Sequence, residues 1–243
     1  MQSYVRIISN RDGATVTAER LNQNLIPDNT KAVILDWDDT VMGTMRAKMR
    51  QHQFVASEHY GIELTDAYMQ EDWGRPLHYL IEKWYGLEPG NVELYTKTLN
   101  QILTFSPSFP KLPLEGAINA VRTIKQEGYP LGVVTGSPKA DIDLDFDERT
   151  VTPAMFDYFQ TSDATMFHKP DPRVFEPTLQ WLNDIRVEAA DTLFIGDTLN
   201  DYWAARGAGF MFLGVETTSV DMSTFYNIGA LSIRSLGDII KST

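Results

Sequence analysis

Apolar runs and amphipathic stretches alternate along most of this chain, from residue 31 onward. Short runs rich in β-branched residues fall at 31–35, 131–135, 192–195 and 209–215, as is typical of strands buried on both faces. Weaker runs at 158–161 and 230–233 indicate two more strands, and stretches of helical period separate the runs. This alternation predicts an α/β fold whose core is a Rossmann-like, doubly wound parallel sheet with helices on both faces.

Between residues 45 and 105 the pattern changes to consecutive helices without a convincing strand. The helices are predicted at 45–60, 65–72, 76–85 and 91–105, and a proline-rich linker follows at 106–113. We therefore expect an α-helical insert. The predicted division is an N-terminal extension at 1–30 with a possible hairpin, an α/β core at 31–43 and 113–243, and the helical insert with its linkers at 44–112.

Composition narrows the chemistry without identifying it. The chain has 243 residues, no cysteine and a formal net charge of −12. Disulfides, thiolate zinc sites and cysteine nucleophiles are excluded, and the acidic balance disfavours binding to nucleic acid. Neither a membrane-spanning stretch nor a secretory signal is visible in the sequence, so we expect no membrane partner and a cytoplasmic location.

Polar motifs follow four of the predicted strands. They are Asp36-Trp37-Asp38-Asp39, Thr135-Gly136-Ser137, Lys169-Pro170 and the segment 196–201, GDTLND. In an open parallel sheet such motifs meet at the carboxyl ends of the strands, where ligands bind. A cluster of carboxylates at that point is costly unless a cation or a shared proton relieves it. The sequence therefore predicts a site that holds a cation.

The four motifs in this order resemble the haloacid dehalogenase superfamily, specifically its phosphatases with a helical cap inserted after the first motif. The resemblance covers about residues 31–240 and is closest to the phosphoglycolate phosphatase-like branch. It implies a Mg²⁺-dependent phosphatase that acts on a small phosphorylated metabolite, with the helical insert as the cap.

The resemblance also implies a role for each motif residue. Asp36 would attack phosphorus to form an aspartyl-phosphate, and Asp38 would act as general acid and then as general base. Thr135, Gly136 and Lys169 would bind the phosphoryl group.

The resemblance further implies that Mg²⁺, a hard cation with a preference for oxygen, binds Asp36, the main-chain carbonyl of Asp38, and Asp197. Asp201 would orient metal-bound water or the lysine. Arg75, between two predicted cap helices, is a candidate for binding a second anionic group of the substrate or is a surface residue.

Several alternatives stay open on the sequence. A phosphomutase would use the same core residues, and a catalytically silent binding or regulatory module could share the fold. A dehalogenase or a phosphonatase fits the acid at position 38 poorly. Asp39 stands where the family commonly has glycine, and we expect its carboxylate to face solvent. The acidic stretch 141–147 is expected to be a solvated face.

Overall fold

The computed structural model describes residues 5–8, 17–20, 25–73, 77–217 and 220–242. Its strands in chain order are β1 (Val5–Ile8), β2 (Thr17–Arg20), β3 (Ala32–Leu35), β4 (Leu131–Val134), β5 (Tyr158–Gln160), β6 (Thr192–Gly196), β7 (Met211–Val215) and β8 (Leu231–Ile233). Strands β3 to β8 form one all-parallel sheet in the order β5-β4-β3-β6-β7-β8. The predicted doubly wound parallel sheet is therefore confirmed.

The first two strands lie outside this sheet. They pair antiparallel with each other, Val5 opposite Arg20 and Ile8 opposite Thr17. The segment predicted as their tight turn lies outside the described residues.

Four helices follow β3 without an intervening strand: α1 (Thr44–Tyr60), α2 (Asp66–Gln70), α3 (Leu77–Trp84) and α4 (Val92–Phe105). Helix α1 ends at Gly61, whose φ of 64° lies in the left-handed region that glycine adopts without steric cost. The block has its own apolar core, which includes Met49, Val55 and Trp84. The predicted domain boundaries stay a prediction.

The sheet is covered on both faces. The remaining helices are α5 (Ala117–Gln126), α6 (Lys139–Asp143), α7 (Glu176–Asp184), α8 (Leu199–Gly207) and α9 (Met222–Asn227). Residues of β3 point alternately into two cores, Val33 and Leu35 into one and Ala32 and Ile34 into the other. Among the described residues, no helix combines the length and the apolar character needed to span a membrane.

The helical block joins the sheet through two neighbouring linkers. The Gly43 N–H donates to the Leu112 carbonyl at 2.8 Å, and the Leu114 N–H donates to the Val41 carbonyl at 2.9 Å. These bonds fix the return linker beside the loop that follows β3.

The expectation for residues 141–147 was partly wrong. Asp141 and Asp143 lie in the short helix α6, where Asp141 is half-buried and Asp143 is exposed, but Asp145 is 8% exposed. Asp145 is buried because it accepts hydrogen bonds from the Trp37 indole N–H at 2.8 Å and from Lys111 Nζ at 2.8 Å.

Candidate active site

The strand order reverses between β3 and β6, and two carboxylates lie at the ends of these strands. Asp36 directly follows β3, and its backbone N–H donates to the Ile195 carbonyl of β6 at 2.8 Å. Asp197 directly follows β6. Their residues are 6% and 7% exposed, so the point where ligands bind in doubly wound sheets here carries two buried acids.

Lys169 reaches this point from the loop after β5. Its Nζ lies 2.7 Å from Asp36 Oδ1 and 2.6 Å from Asp201 Oδ1, and it donates to the Val134 carbonyl at 3.0 Å. Burial by itself would lower the pKa of Lys169, but the neighbouring charges of Asp201 and Asp36 raise it above its ordinary value. The ammonium is therefore held in its charged form.

Asp201 is fixed by a capping box at the start of α8. Its Oδ2 accepts hydrogen bonds from the backbone N–H and the hydroxyl of Thr198, and the Thr198 hydroxyl accepts from the Asp201 N–H. Gly196 leaves room for this side chain, since a Cβ at position 196 would lie 2.8 Å from Asp201 Cβ. The glycine and threonine of the fourth motif thus direct Asp201 toward Lys169.

Asp36, Asp197 and Asp201 form a buried acidic group. One carboxylate oxygen from each lies within 4.8 Å of the others. Burial raises the pKa of Asp36 to about 7 against the opposing charge of Lys169, with Asp201 and Asp38 raising it further. Burial and the charges of Asp36 and Asp201 likewise raise the pKa of Asp197 well above its ordinary value.

These residues fit a divalent metal. Lys169 is the single cation in contact with the three carboxylates among the described residues, so negative charge is left in excess. A hard cation with oxygen ligands would relieve that excess, and Mg²⁺ is bound in proteins by one or two carboxylates together with substrate phosphate.

Asp38 accepts hydrogen bonds from four donors. Its Oδ1 accepts from the Thr44 hydroxyl and from Lys111 Nζ at 3.0 Å, and its Oδ2 accepts from the hydroxyls of Thr135 at 3.0 Å and Ser137 at 2.7 Å. Burial alone would raise the pKa of Asp38, but the charge of Lys111 and these hydrogen bonds outweigh it, so the pKa is lowered.

Lys111 is a buried lysine on the return linker, with a side chain that is 6% exposed. Besides Asp38 it pairs with Asp145 at 2.8 Å, and Asp145 in turn accepts from Trp37. Burial opposes the charge of Lys111, but the two carboxylates outweigh it and raise the pKa of the lysine. A chain of contacts therefore runs from Trp37 through Asp145 and Lys111 to Asp38.

The predicted phosphate-binding residues lie beside these acids. The Thr135 hydroxyl donates to Asp38, while its oxygen accepts from the Ser137 N–H at 3.0 Å. A Cβ built at Gly136 would meet no atom within 4 Å, so the space beside its backbone is open. Phosphate binding by Thr135, Gly136 and Lys169 stays a prediction.

The expectation that the Asp39 carboxylate faces solvent was wrong in part, because this half-buried residue also caps a helix. Its two oxygens each lie 3.0 Å from the Met45 N–H in the first turn of α1, whose N-cap Gly43 supplies no side-chain cap. Asp39 adopts a φ of 56°, a left-handed conformation that glycine adopts freely and aspartate tolerates. Burial raises the pKa of Asp39 to about 6, against the hydrogen bond from Met45.

The structure brings together Asp36, Asp38, Thr135, Lys169, Asp197 and Asp201, whereas Arg75 lies outside the described residues. Sequence reasoning missed Lys111, Thr44 and Asp145. Lys111 lies between Pro110 and Pro113 in what reads as a spacer, and only the pairing of the two linkers places it beside Asp38. Ser137 belongs to the second motif, but its contact with Asp38 does not follow from the motif.

Comparison with known proteins places these motifs in a family. The sequence model described as haloacid dehalogenase-like hydrolase matches residues 33–215. Pyrophosphatase PpaX from Anoxybacillus flavithermus is 23% identical over 190 residues, which cover 78% of this chain and 85% of that protein. Validoxylamine A 7'-phosphate phosphatase from Streptomyces hygroscopicus subsp. limoneus is 23% identical over 199 residues, covering 77% and 86%.

The fold is likewise shared with solved structures. A predicted phosphoglycolate phosphatase from Haemophilus somnus superposes with a TM-score of 0.72 at 15% identity, covering 88% of this chain and 97% of that one. At this identity the likeness shows the fold alone.

Proposed function

This chain belongs to the haloacid dehalogenase-like hydrolase family, and we propose that it is a Mg²⁺-dependent phosphatase that releases phosphate from a small phosphorylated metabolite through an aspartyl-phosphate. The observation that carries this proposal is the contact of Lys169 with both Asp36 and Asp201, at 2.7 and 2.6 Å. Three distant motifs meet there around one acid that follows the central strand.

The reaction needs an in-line nucleophile, cations around the phosphoryl oxygens and a proton donor for the leaving oxygen. In the first step an Asp36 oxygen bonds to phosphorus, the bond from phosphorus to the leaving oxygen breaks, and Asp38 gives that oxygen its proton. Asp38 carries this proton when substrate is bound, because the negative charge of the phosphate raises its pKa against the charge of Lys111. In the second step water attacks phosphorus, Asp38 takes the proton of the water, and the bond from Asp36 to phosphate breaks.

The residues around Asp36 keep its carboxylate in reach of phosphorus. Lys169 orients Oδ1 at 2.7 Å and places one positive charge beside the incoming phosphoryl oxygens. Thr135 and Gly136 would bind those oxygens once the Thr135 hydroxyl leaves Asp38. Mg²⁺, held by Asp36, the Asp38 carbonyl and Asp197, would supply the charge that keeps Asp36 ionised and neutralises the phosphoryl group.

A cavity beside Asp39 is proposed to receive the rest of the substrate. It measures about 1030 Å³, and its lining includes Asp39, Arg46 and Arg50, the two arginines being one helical turn apart on α1. Of the described carboxylates, none lies within ion-pair distance of either arginine. Guanidinium groups suit a second phosphate or a carboxylate, so the proposed substrates carry a second anionic group.

The activity is tested by phosphate release with Mg²⁺ from an aryl phosphate and from a panel that includes pyrophosphate and phosphoglycolate. Asp36→Asn is expected to abolish release, since an amide is no nucleophile here, whereas Asp143→Asn, at an exposed acid on α6, keeps it. Turnover that survives Asp36→Asn would contradict the proposal. Isomer formation without free phosphate would identify a phosphomutase instead.

The second anionic group is tested with Arg50→Gln. We expect KM for pyrophosphate or phosphoglycolate to rise about tenfold, while KM for glycerol phosphate, which lacks a second anion, stays within about twofold. Arg122→Gln, an exposed arginine on α5, is the matched control. An equal change of KM for both kinds of substrate would show that the arginines do not bind a second anionic group.

A further inference from the structure

Lys111 is a charged residue at the site, and the reaction proposed above gives it no role. It is buried on the return linker, its Nζ lies 3.0 Å from Asp38 Oδ1, and it reaches this place because the Gly43 and Leu112 backbones are hydrogen bonded. A buried ammonium is costly to desolvate unless it is paired. The role of Lys111 can therefore be inferred from its two carboxylate partners.

One partner anchors Lys111 and the other is the proposed acid. Asp145 is 8% exposed and is fixed by the indole N–H of Trp37, which is fully buried among Phe146, Phe156 and Phe159. The anchor is thus part of the core, and its distance to Lys111 Nζ is 2.8 Å. Asp38 is the more open partner, with a side chain that is 24% exposed.

Other roles for Lys111 fit the contacts poorly. An imine-forming lysine must present a free amine, whereas this ammonium is shared between two carboxylates. A purely structural ion pair would need only one acid, and Asp145 already supplies it. The second contact falls on the residue to which the reaction assigns proton transfer.

We propose that Lys111 is a positioning residue for Asp38: it joins the core anchor Asp145 to the proposed general acid and fixes where the Asp38 carboxyl stands relative to the leaving oxygen. This inference rests on the proposed phosphatase function. Lys111 and the Thr44 hydroxyl hold Oδ1 of the carboxyl, while the hydroxyls of Thr135 and Ser137 hold Oδ2. Removal of the lysine takes away the one charged contact and the link to Asp145, so Asp38 is no longer tied to the core. A proton donor out of place loses most of its effect, because catalysis depends on geometry.

The dependence on the leaving group separates this role from a merely structural one. An alkyl phosphate needs a proton on its leaving oxygen, whereas a dinitrophenyl phosphate has a stable leaving anion and needs none. Because kcat/KM reports the steps up to departure of the leaving group, it isolates acid catalysis from hydrolysis of the aspartyl-phosphate.

The experiment compares kcat/KM for glycerol phosphate and for 2,4-dinitrophenyl phosphate in wild type, Lys111→Met, Lys111→Arg and Asp38→Ala, with Mg²⁺ present. We expect Lys111→Met to lower kcat/KM about 30-fold or more for glycerol phosphate and at most about threefold for the dinitrophenyl ester. Asp38→Ala is expected to show the same preference between the two esters. Lys111→Arg keeps the charge and is expected to regain most of the loss. In the Asp38→Ala background, Lys111→Met should add little.

Lys125→Met is the matched control, since it removes an ion pair to Asp157 at 2.6 Å that is remote from the four motifs. If Lys111→Met fails to fold, Asp145→Asn and Lys111→Arg replace it in the comparison. We then expect Asp145→Asn to lower kcat/KM for glycerol phosphate more than kcat/KM for the dinitrophenyl ester. Equal losses on both esters, or losses that add to those of Asp38→Ala, would overturn the role of Lys111.

The outcome for the proposed function is read separately. A wild-type protein without phosphate release would overturn both proposals. An Asp38→Ala variant without leaving-group dependence would refute the assignment of the acid, and with it the role of Lys111. If kcat/KM depends on the leaving group in Asp38→Ala but not in Lys111→Met, the proposed function is retained and only the positioning role of Lys111 is refuted.

Discussion

Asp39 offers a sharp test of how the first loop is built, because two separate effects act at this residue. Its backbone has a φ of 56°, and its carboxylate caps α1 through the Met45 N–H, with both oxygens at 3.0 Å. Asp39→Gly removes the cap but frees the backbone. Asp39→Ala removes the cap and leaves a Cβ in the left-handed conformation, whereas Asp39→Asn keeps an acceptor and tolerates that conformation.

The magnitudes follow from these two effects. Loss of a helix cap lowers the free energy of unfolding by about 1 kcal/mol. Alanine in the left-handed region costs about 1 kcal/mol more than glycine after the greater unfolded-state freedom of glycine is counted. We therefore expect losses of about 2 kcal/mol for Asp39→Ala, about 1 kcal/mol for Asp39→Gly and less than about 0.5 kcal/mol for Asp39→Asn.

Urea unfolding at neutral pH, followed by circular dichroism, measures this series at constant m-value. Asp66→Ala, in the first turn of α2, is a matched control for loss of an acidic side chain near a helix start. If Asp39→Ala and Asp39→Gly lose the same stability, the positive φ has no energetic role. If none of the three variants differs from wild type, the carboxylate does not cap α1.

Three further predictions concern the metal, Gly196 and His52. Chelation with EDTA is expected to abolish phosphate release and added Mg²⁺ to restore it, because excess negative charge surrounds Asp36; release that persists in EDTA would contradict a metal-dependent reaction. Gly196→Ala places a Cβ 2.8 Å from Asp201 Cβ, so we expect activity to fall at least tenfold and stability by about 1–3 kcal/mol, as measured by kcat and urea unfolding; an active, stable variant would show that Asp201 need not stay there. Burial between Trp84 and Tyr85 lowers the pKa of His52 from 6.5 to about 4, so the unfolded chain takes up the proton first and stability falls by up to about 3 kcal/mol as pH drops from 6.5 to 4. His52→Gln should remove that slope in urea titrations at several pH values, more than His59→Gln on the same helix does, and an unchanged slope would refute the assignment.

The parallel sheet could be predicted because its strands are short, apolar and buried on both faces. Each predicted strand at 31–35, 131–135 and 192–195 matches an observed one to within a residue or so at its ends. The exception is β7, which begins at Met211 rather than at 209, since Gly209 has a φ of 88° that no strand allows. Continuous apolar runs indicate strands that are buried on both faces, and a parallel sheet covered by helices buries its strands in this way.

The polar contacts of the site were predictable only where a motif ends a strand. Asp36 and Asp197 follow neighbouring strands, so the sheet order alone brings them together. Lys169 follows an edge strand and still reaches them, which the family pattern indicated. No periodicity places Lys111 near Asp38, because its position depends on two linkers pairing 70 or so residues apart.

Asp39 and Asp145 also show that the sequence does not predict the partners of a buried or half-buried acid. Both were expected to be solvated because acidic residues usually are, and both instead accept hydrogen bonds, Asp39 from a helix start and Asp145 from an indole and a lysine. A buried acid is stable only with its partners, and those partners are distant in sequence or hidden in backbone geometry. The acids that support the proposed site from outside the strand-end motifs are therefore the ones whose surroundings the sequence predicts least, and their partner Lys111 is where a substitution tests the mechanism most directly.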